Sequence, residues 1–352
     1  MGALLALGIS ALALFVVIRS QGDPGWATAV SQARPAYLAL CLLLLAASWV
    51  ADAMRLRALG VGLGHRLAVG PLVATIMMGN FLTLATPFMI GGAPVLIYVI
   101  HRQGLMMGQA FAVIVLGGVA AQVALAGFNL LAALVLAGQL PAGAWLGRAY
   151  LAFVLTYFAA LGLFVVLAVR FDRLRPHLET LRRGRRSQDV GEITGLRQAR
   201  DGAGRGLVAR LAGILIALLS DFRASFVHLT GRGLRHLAAA TGWAACYFLL
   251  YFAVGLGVLL ALDIKGHLPS LFAWQVVAST IALFTPSPGG SGAAELGAMY
   301  AFGGMLSAAA LPAFVVLWRI LTFHLNLLLG AAATAWWANR LARQGGGASP
   351  GE

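Results

Sequence analysis

Thr285-Pro286-Ser287-Pro288-Gly289-Gly290-Ser291-Gly292-Ala293-Ala294-Glu295 interrupts an apolar run that begins near Leu268 and ends near Leu306. Pro286 and Pro288 lack an N–H and clash with the preceding helical turn, so a helix entering this stretch stops. Glycines and a carboxylate follow at once. In lipid every backbone polar group needs a partner, so broken helix at membrane depth persists only inside protein or beside a wet cavity. A break with a charge just beyond it therefore reads as a site, because an intramembrane charge is costly. A short loop grazing the membrane surface is the plainer alternative.

Composition sets the frame. Of 352 residues, 61% are hydrophobic and only 10% are charged, with a mean hydropathy of +0.88. These values exclude a water-soluble globule and indicate a polytopic helical membrane protein. The apolar segments exceed strand length, which argues against a β-barrel. The net charge of +14 rests on Arg, with Lys265 the one lysine. Nucleic acid is not the partner this excess implies; its placement marks one membrane face and attracts anionic lipid. Cys41 and Cys246 lie in apolar spans and read as small core hydrophobes.

Outward from the opening stretch, the chain divides into two membrane halves. The N-terminal half, residues 1–169, begins with an apolar segment, Ala3–Ile18, kept as an uncleaved helix because no Lys or Arg precedes it and no small-x-small cleavage site follows. A polar loop, Arg19–Arg34, leads to a span at Pro35–Met54 that closes with Asp52 and Arg55, three apart and able to pair on one face. Residues 67–100 repeat the grammar of the opening stretch, with breaks at Asn80, Thr86-Pro87, Gly91-Gly92 and Pro94. Spans at Leu105–Ala137 and Ala149–Val169 complete this half. On the first, Gln109, Gln122 and Asn129 are placed to bond neighbouring helices. Residues 170–236 form an Arg-rich loop, with 182–206 expected to be disordered and Leu207–Leu229 expected to lie as an interfacial helix. The C-terminal half, residues 237–340, holds spans at Leu237–Leu262 and Leu311–Ala338 around the broken segment at 270–306. A disordered tail is expected over 341–352.

Charge placement tests this division. With six full crossings and two broken segments returning to their own side, 20 of the 25 basic residues share one face, four lie on the other, and Arg319 is intramembrane. Such asymmetry puts both termini in the cytoplasm, at the cytoplasmic (inner) membrane. The two broken segments then enter from opposite faces, as in an inverted-topology repeat with a site near the midplane.

Arg319 is the most telling single residue. Apolar sequence extends eight residues before it and nearly twenty after, and a central Arg costs about 2.5–3.5 kcal/mol on insertion scales. Glu295 is its expected partner. The pair reads either as a structural pin between the broken segment and the last span, or as an anionic headgroup site in which Glu295 holds or releases Arg319; the two readings are compatible. Helix starts after Gly92 and Gly290 would aim N–H groups at the midplane, where they suit phosphate oxygens. Gly91, Gly92, Gly289 and Gly290 would permit close backbone approach. His324 and Asn326 read as helix-contact residues. Substrate contacts are thus expected from Arg319, Glu295, Gly289, Gly290, Ser291, Gly292, Asn80, Gly91 and Gly92, with Pro87, Pro94, Pro286 and Pro288 as the structural breaks. No metal-ligand spacing, P-loop, dinucleotide fingerprint or supported nucleophile is legible, so neither a cofactor nor a catalytic residue is expected.

These residues carry a resemblance. Pro286-Ser287-Pro288-Gly289-Gly290-Ser291-Gly292-Ala293-Ala294-Glu295 resembles the P-x-P-G-G-x-G-x-x-E signature of the lysylphosphatidylglycerol synthase/flippase transmembrane family, also called flippase-like or UPF0104 proteins. Asn80 with Thr86-Pro87-Phe88-Met89-Ile90-Gly91-Gly92-Ala93-Pro94 is similar to its first-half counterpart, and Arg319 to an Arg common in its last span. One departure stands out. The family commonly follows the first Gly-Gly with an acidic and then a basic residue, whereas Ala93, Val95 and Leu96 are apolar. The soluble aminoacyl-transferring domain is not among these residues. The resemblance therefore implies translocation of an anionic or amphipathic lipid, or an accessory or transferase role in envelope-lipid synthesis, rather than lysyl transfer. The partners it implies are a membrane lipid as substrate, anionic headgroups at the Arg-rich loop and proteins of lipid biosynthesis. The expected fold is an all-α polytopic membrane protein with about six transmembrane helices and two re-entrant hairpins.

Overall fold

The computed structural model describes residues 2–86, 91–137, 150–163 apart from 151, 154 and 161, and 221–345. Pro87, the Arg-rich loop over 170–206, the first part of the interfacial helix and about half of the 149–169 span, including 164–169, lie outside the described residues. Eleven helices carry the names used below: α1 Gly2–Gln21, α2 Trp26–Ser31, α3 Pro35–Gly62, α4 Val69–Ala85, α5 Ala93–Arg102, α6 Met107–Leu136, α7 Leu234–Ala261, α8 Leu268–Leu283, α9 Ala293–Phe302, α10 Ala310–Arg319 and α11 Leu325–Gly345. A π-turn over Ile320–His324 joins α10 to α11. The protein is an all-α polytopic membrane protein. Five stretches among the described residues are long and apolar enough to cross a bilayer, namely α1, α3, α6, α7 and the run Ala310–Arg340. Their outward faces carry exposed Leu12, Phe15, Leu43, Leu134 and Leu249. Bare apolar surface on that scale suits lipid rather than water.

Lipid tails are as apolar as Leu, so helices in a bilayer associate through close contact at small residues. The central antiparallel pair, α3 and α7, shows this. A Cβ on Gly257 would lie 2.6 Å from Cys41 Sγ, and Cys41 donates to Val254 O at 3.4 Å. Two poles result. At one, His228 Nε2 lies 3.1 Å from Gly62 O; at the other, Arg34 N–H donates to Ala261 O and the Arg34 guanidinium pairs with Asp263 at 3.0 Å. Asp52 and Arg55 do pair, at 2.7 Å, and Arg55 packs beside Gly117 of α6.

Both interrupted segments double back. Ala68 N–H, before α4, donates to Gln103 Oε1, after α5, at 3.0 Å. Likewise Ser270 and Leu271 of α8 border the same pocket as Met305 and Leu306 after α9. The α4–α5 hairpin opens at the Gly62 pole and the α8–α9 hairpin at the Ala261 pole. Their tips meet, since a Cβ on Gly289 would lie 3.2 Å from Leu84 O.

Several details differ from the sequence reading. The loop expected over 19–34 contains α2. Pro94 stands in the first turn of α5, where its missing N–H costs nothing, so it starts a helix rather than breaking one. Helix α11 continues to Gly345, so 341–345 are helical, and the rest of the expected tail, 346–352, lies outside the described residues. Gln109 caps its own helix through Met106 N–H. Gln122 and Asn129 do bond outward, to Tyr157 and Tyr150. Of the segment expected to lie at the interface, residues 221–230 are helical, with Phe226 and Leu229 buried against the Gly62 pole.

Candidate functional site

After α8 the chain bends through Thr285–Ser287 into a 3-10 turn, Pro288–Gly290. Gly289 and Gly290 take φ of 63° and 62°, a region that side-chain-bearing residues avoid. Space forbids a side chain as well, because a Cβ on Gly290 would sit 2.5 Å from Ala282 O. Ser287 Oγ donates across the turn to Ser291 O at 2.8 Å. Helix α9 then begins with Glu295 in its first turn, and Glu295 Oε2 accepts Gly292 N–H at 2.8 Å. The anion at this helix start is thus the protein's own carboxylate, where the sequence reading placed a ligand phosphate.

Arg319, the last residue of α10, reaches this turn. Its Nε donates to Glu295 Oε1 at 2.9 Å and its Nη2 to Ser291 Oγ at 3.2 Å. The Phe323 ring lies 4.1 Å from the guanidinium carbon, within cation–π range. Ser10 of α1 adds a hydroxyl to Glu295 Oε1 at 2.6 Å. Glu295 is 0% exposed and Arg319 4%. Two charges so deep are tolerated because each satisfies the other and further hydrogen bonds fill the remaining lone pairs.

Arg319 also lines a cavity of about 180 Å³. Both hairpins line it: Asn80, Thr83 and Leu84 from α4, and Ser279, Ala282 and Gly289 from the α8–α9 segment. Ser48, Trp49, Tyr247, Tyr251, Thr322 and Asn326 supply further polar groups to its wall. Trp49 Nε1 donates to Asn326 Oδ1 at 3.1 Å, whereas Trp318 Nε1 is buried with no partner among the described residues. The space suits a few waters or one compact polar group.

Arg319, Glu295, Ser291, Gly292, Gly289 and Gly290 therefore converge, and Asn80 joins them across the cavity. Gly91 and Gly92 do not line it. They seat α5 on α4: Gly91 N–H donates to Thr86 Oγ1 at 2.9 Å, and a Cβ on Gly92 would lie 2.6 Å from Gly79 O. Sequence reasoning missed Ser10, whose signal is a lone hydroxyl in an apolar helix, and Trp318, which carries no polar signature. The π-turn was not legible either. It lets His324 Nδ1 approach Arg319 O at 3.0 Å, and such turns recur at functional sites.

The family model described as lysylphosphatidylglycerol synthase TM region matches residues 3–330. The chain belongs to this family. A UPF0104 membrane protein from Archaeoglobus fulgidus is 28% identical to it over 116 residues, 33% of this chain and 32% of that protein. The match thus spans about a third of that relative's length. Membership in the lysylphosphatidylglycerol synthase transmembrane family agrees with the multi-pass fold and fits a role connected with membrane lipid.

Proposed function

We propose that the protein moves an anionic or amphipathic lipid across the cytoplasmic membrane, its headgroup passing the cavity beside Arg319. One observation carries this reading: a buried guanidinium, held by Glu295 and Ser291, lines a cavity that both interrupted hairpins enclose and that Asn80, Ser279 and Asn326 also line. In this reading the hairpins are re-entrant, entering from opposite faces, and six helices cross fully. The Gly62 pole and both termini face the cytoplasm, where Arg55, Arg57, Arg66 and Arg102 fall. Cytoplasmic anionic headgroups, or proteins that make the lipid, meet the Arg-rich residues 170–206.

In this reading the headgroup passes beside this cavity as the hairpin tips part. Among the described residues the tips approach at Gly289, where a Cβ would lie 3.2 Å from Leu84 O, while Glu295 is held by Ser10 of α1, Gly292 and Arg319 of α10.

The test uses the purified full chain in liposomes with phosphatidylglycerol carrying a headgroup fluorophore. An impermeant quencher reads inner-to-outer exchange. Exchange faster than in protein-free vesicles, and slowed in Asn80→Ala and Arg319→Lys, is the expected result. Exchange equal to protein-free vesicles would sink the transport reading. A chemically altered lipid formed by the purified protein would assign a transferase in its place.

A further inference from the structure

A second groove, of about 560 Å³, opens between the start of α4, the end of α5 and the last turns of α11. Its origin is steric. Gly330 brings α11 onto α4 so closely that a Cβ there would sit 2.4 Å from Met77 O. Toward the Gly62 pole, α4 presents the small residues Gly70, Pro71 and Ala74, with Thr75 and Met78 deeper along it, and the gap stays unfilled. Arg102 and Arg340 flank it, both exposed, and neither pairs with a carboxylate among the described residues. The Arg340 guanidinium lies 5.6 Å from the Trp336 ring, and Trp337 meets Tyr98 edge-on at 5.8 Å. Trp336 is 57% exposed.

We propose that this groove binds one anionic phospholipid, its phosphate held between Arg102 and Arg340 and its glycerol region against Trp336. Arg presents forked donors that match phosphate oxygens. Trp residues favour the headgroup level, where one ring edge is wet and the rest apolar. Trp336, exposed beside Arg340, and Trp337 with the apolar residues lining the groove favour a lipid over free phosphate. No residue is shared with the wall of the Arg319 cavity, so the site does not depend on the translocation reading.

The experiment is native mass spectrometry of the purified full chain equilibrated with mixed phosphatidylglycerol and phosphatidylcholine micelles. Wild type should retain phosphatidylglycerol in preference. Arg102→Gln/Arg340→Gln should lower that preference by roughly tenfold or more, and Arg102→Lys/Arg340→Lys should keep part of it. Both arginines are exposed, and an unchanged unfolding midpoint confirms that the variants fold. Retention by the Gln variant equal to wild type would overturn the proposal. So would displacement by inorganic phosphate as effective as by phosphatidylglycerol, which would mark a phosphate site and not a lipid site. Loss of retained lipid in Arg319→Lys alone would place the lipid in the central cavity and overturn it too.

Discussion

Glu295 takes a hydroxyl from Ser10, a backbone N–H from Gly292 and the Nε–H of Arg319 while exposing none of its surface. Removing the cation strands a buried carboxylate, and breaking a buried pair this way costs about 3–5 kcal/mol. Arg319→Ala should therefore lower the unfolding free energy in detergent by that amount. Ser10→Ala removes one hydrogen bond to a charged group, so its cost should be smaller, about 1.5–3 kcal/mol. Replacing both charges, as in Glu295→Leu/Arg319→Leu, desolvates neither, so the double variant should unfold nearer to wild type than Arg319→Ala does. The same double variant separates the two roles left open by the sequence. A stable protein that no longer exchanges lipid assigns Arg319 a part in transport, and one that still exchanges lipid assigns the pair to structure alone.

Helices α4, α5, α8 and α9 owe their pairing to backbone contact, and glycine sets its closeness. A Cβ on Gly92 would fall 2.4 Å from Thr83 Oγ1 and 2.6 Å from Gly79 O, so Gly92→Ala must push α5 off α4. A loss of about 1–3 kcal/mol is expected, typical of overpacking. Gly118, mid-helix in α6, has nothing within 4 Å of its would-be Cβ. Gly118→Ala should be neutral or slightly stabilising, because Ala favours helix over Gly; thermal unfolding of the two variants side by side checks the contrast. Most element positions were legible because an apolar run of bilayer length and a Pro-Gly break are local signals. Thr285–Glu295 announced its own turn, and Arg319 announced a partner by its cost. What stayed hidden was tertiary. Gly91-Gly92 and Gly289-Gly290 look alike in sequence, yet the first pair seats a helix and the second shapes a cavity wall. Ser10 lies 285 positions from Glu295, and no local spacing could connect them.

On the scale of the whole molecule, the antiparallel α3–α7 pair fixes two poles, and the hairpins open at opposite ones. Charge follows the same division. Arg57, Arg66, Arg102, Arg232 and Arg235 belong to the Gly62 pole, whereas Arg34 and Lys265 sit beside Asp263 at the other. If each hairpin enters and leaves by its own face, Gln103 and Lys265 must be reached by water from opposite sides of the membrane. Cysteine labelling reads this directly. Cys41 is 0% exposed and can stay, while Cys246 is only partly buried and is first changed to Ser. On that background, Gln103→Cys should react with a membrane-impermeant maleimide only in inside-out vesicles, and Lys265→Cys only in intact cells. A cysteine at Met305, beyond α9, should side with Lys265, because α8 and α9 return to one pole. Were the α8–α9 segment instead a full crossing, Met305→Cys and Lys265→Cys would label from opposite faces. The α4–α5 segment is checked in the same way, with Arg66→Cys and Gln103→Cys expected to label together.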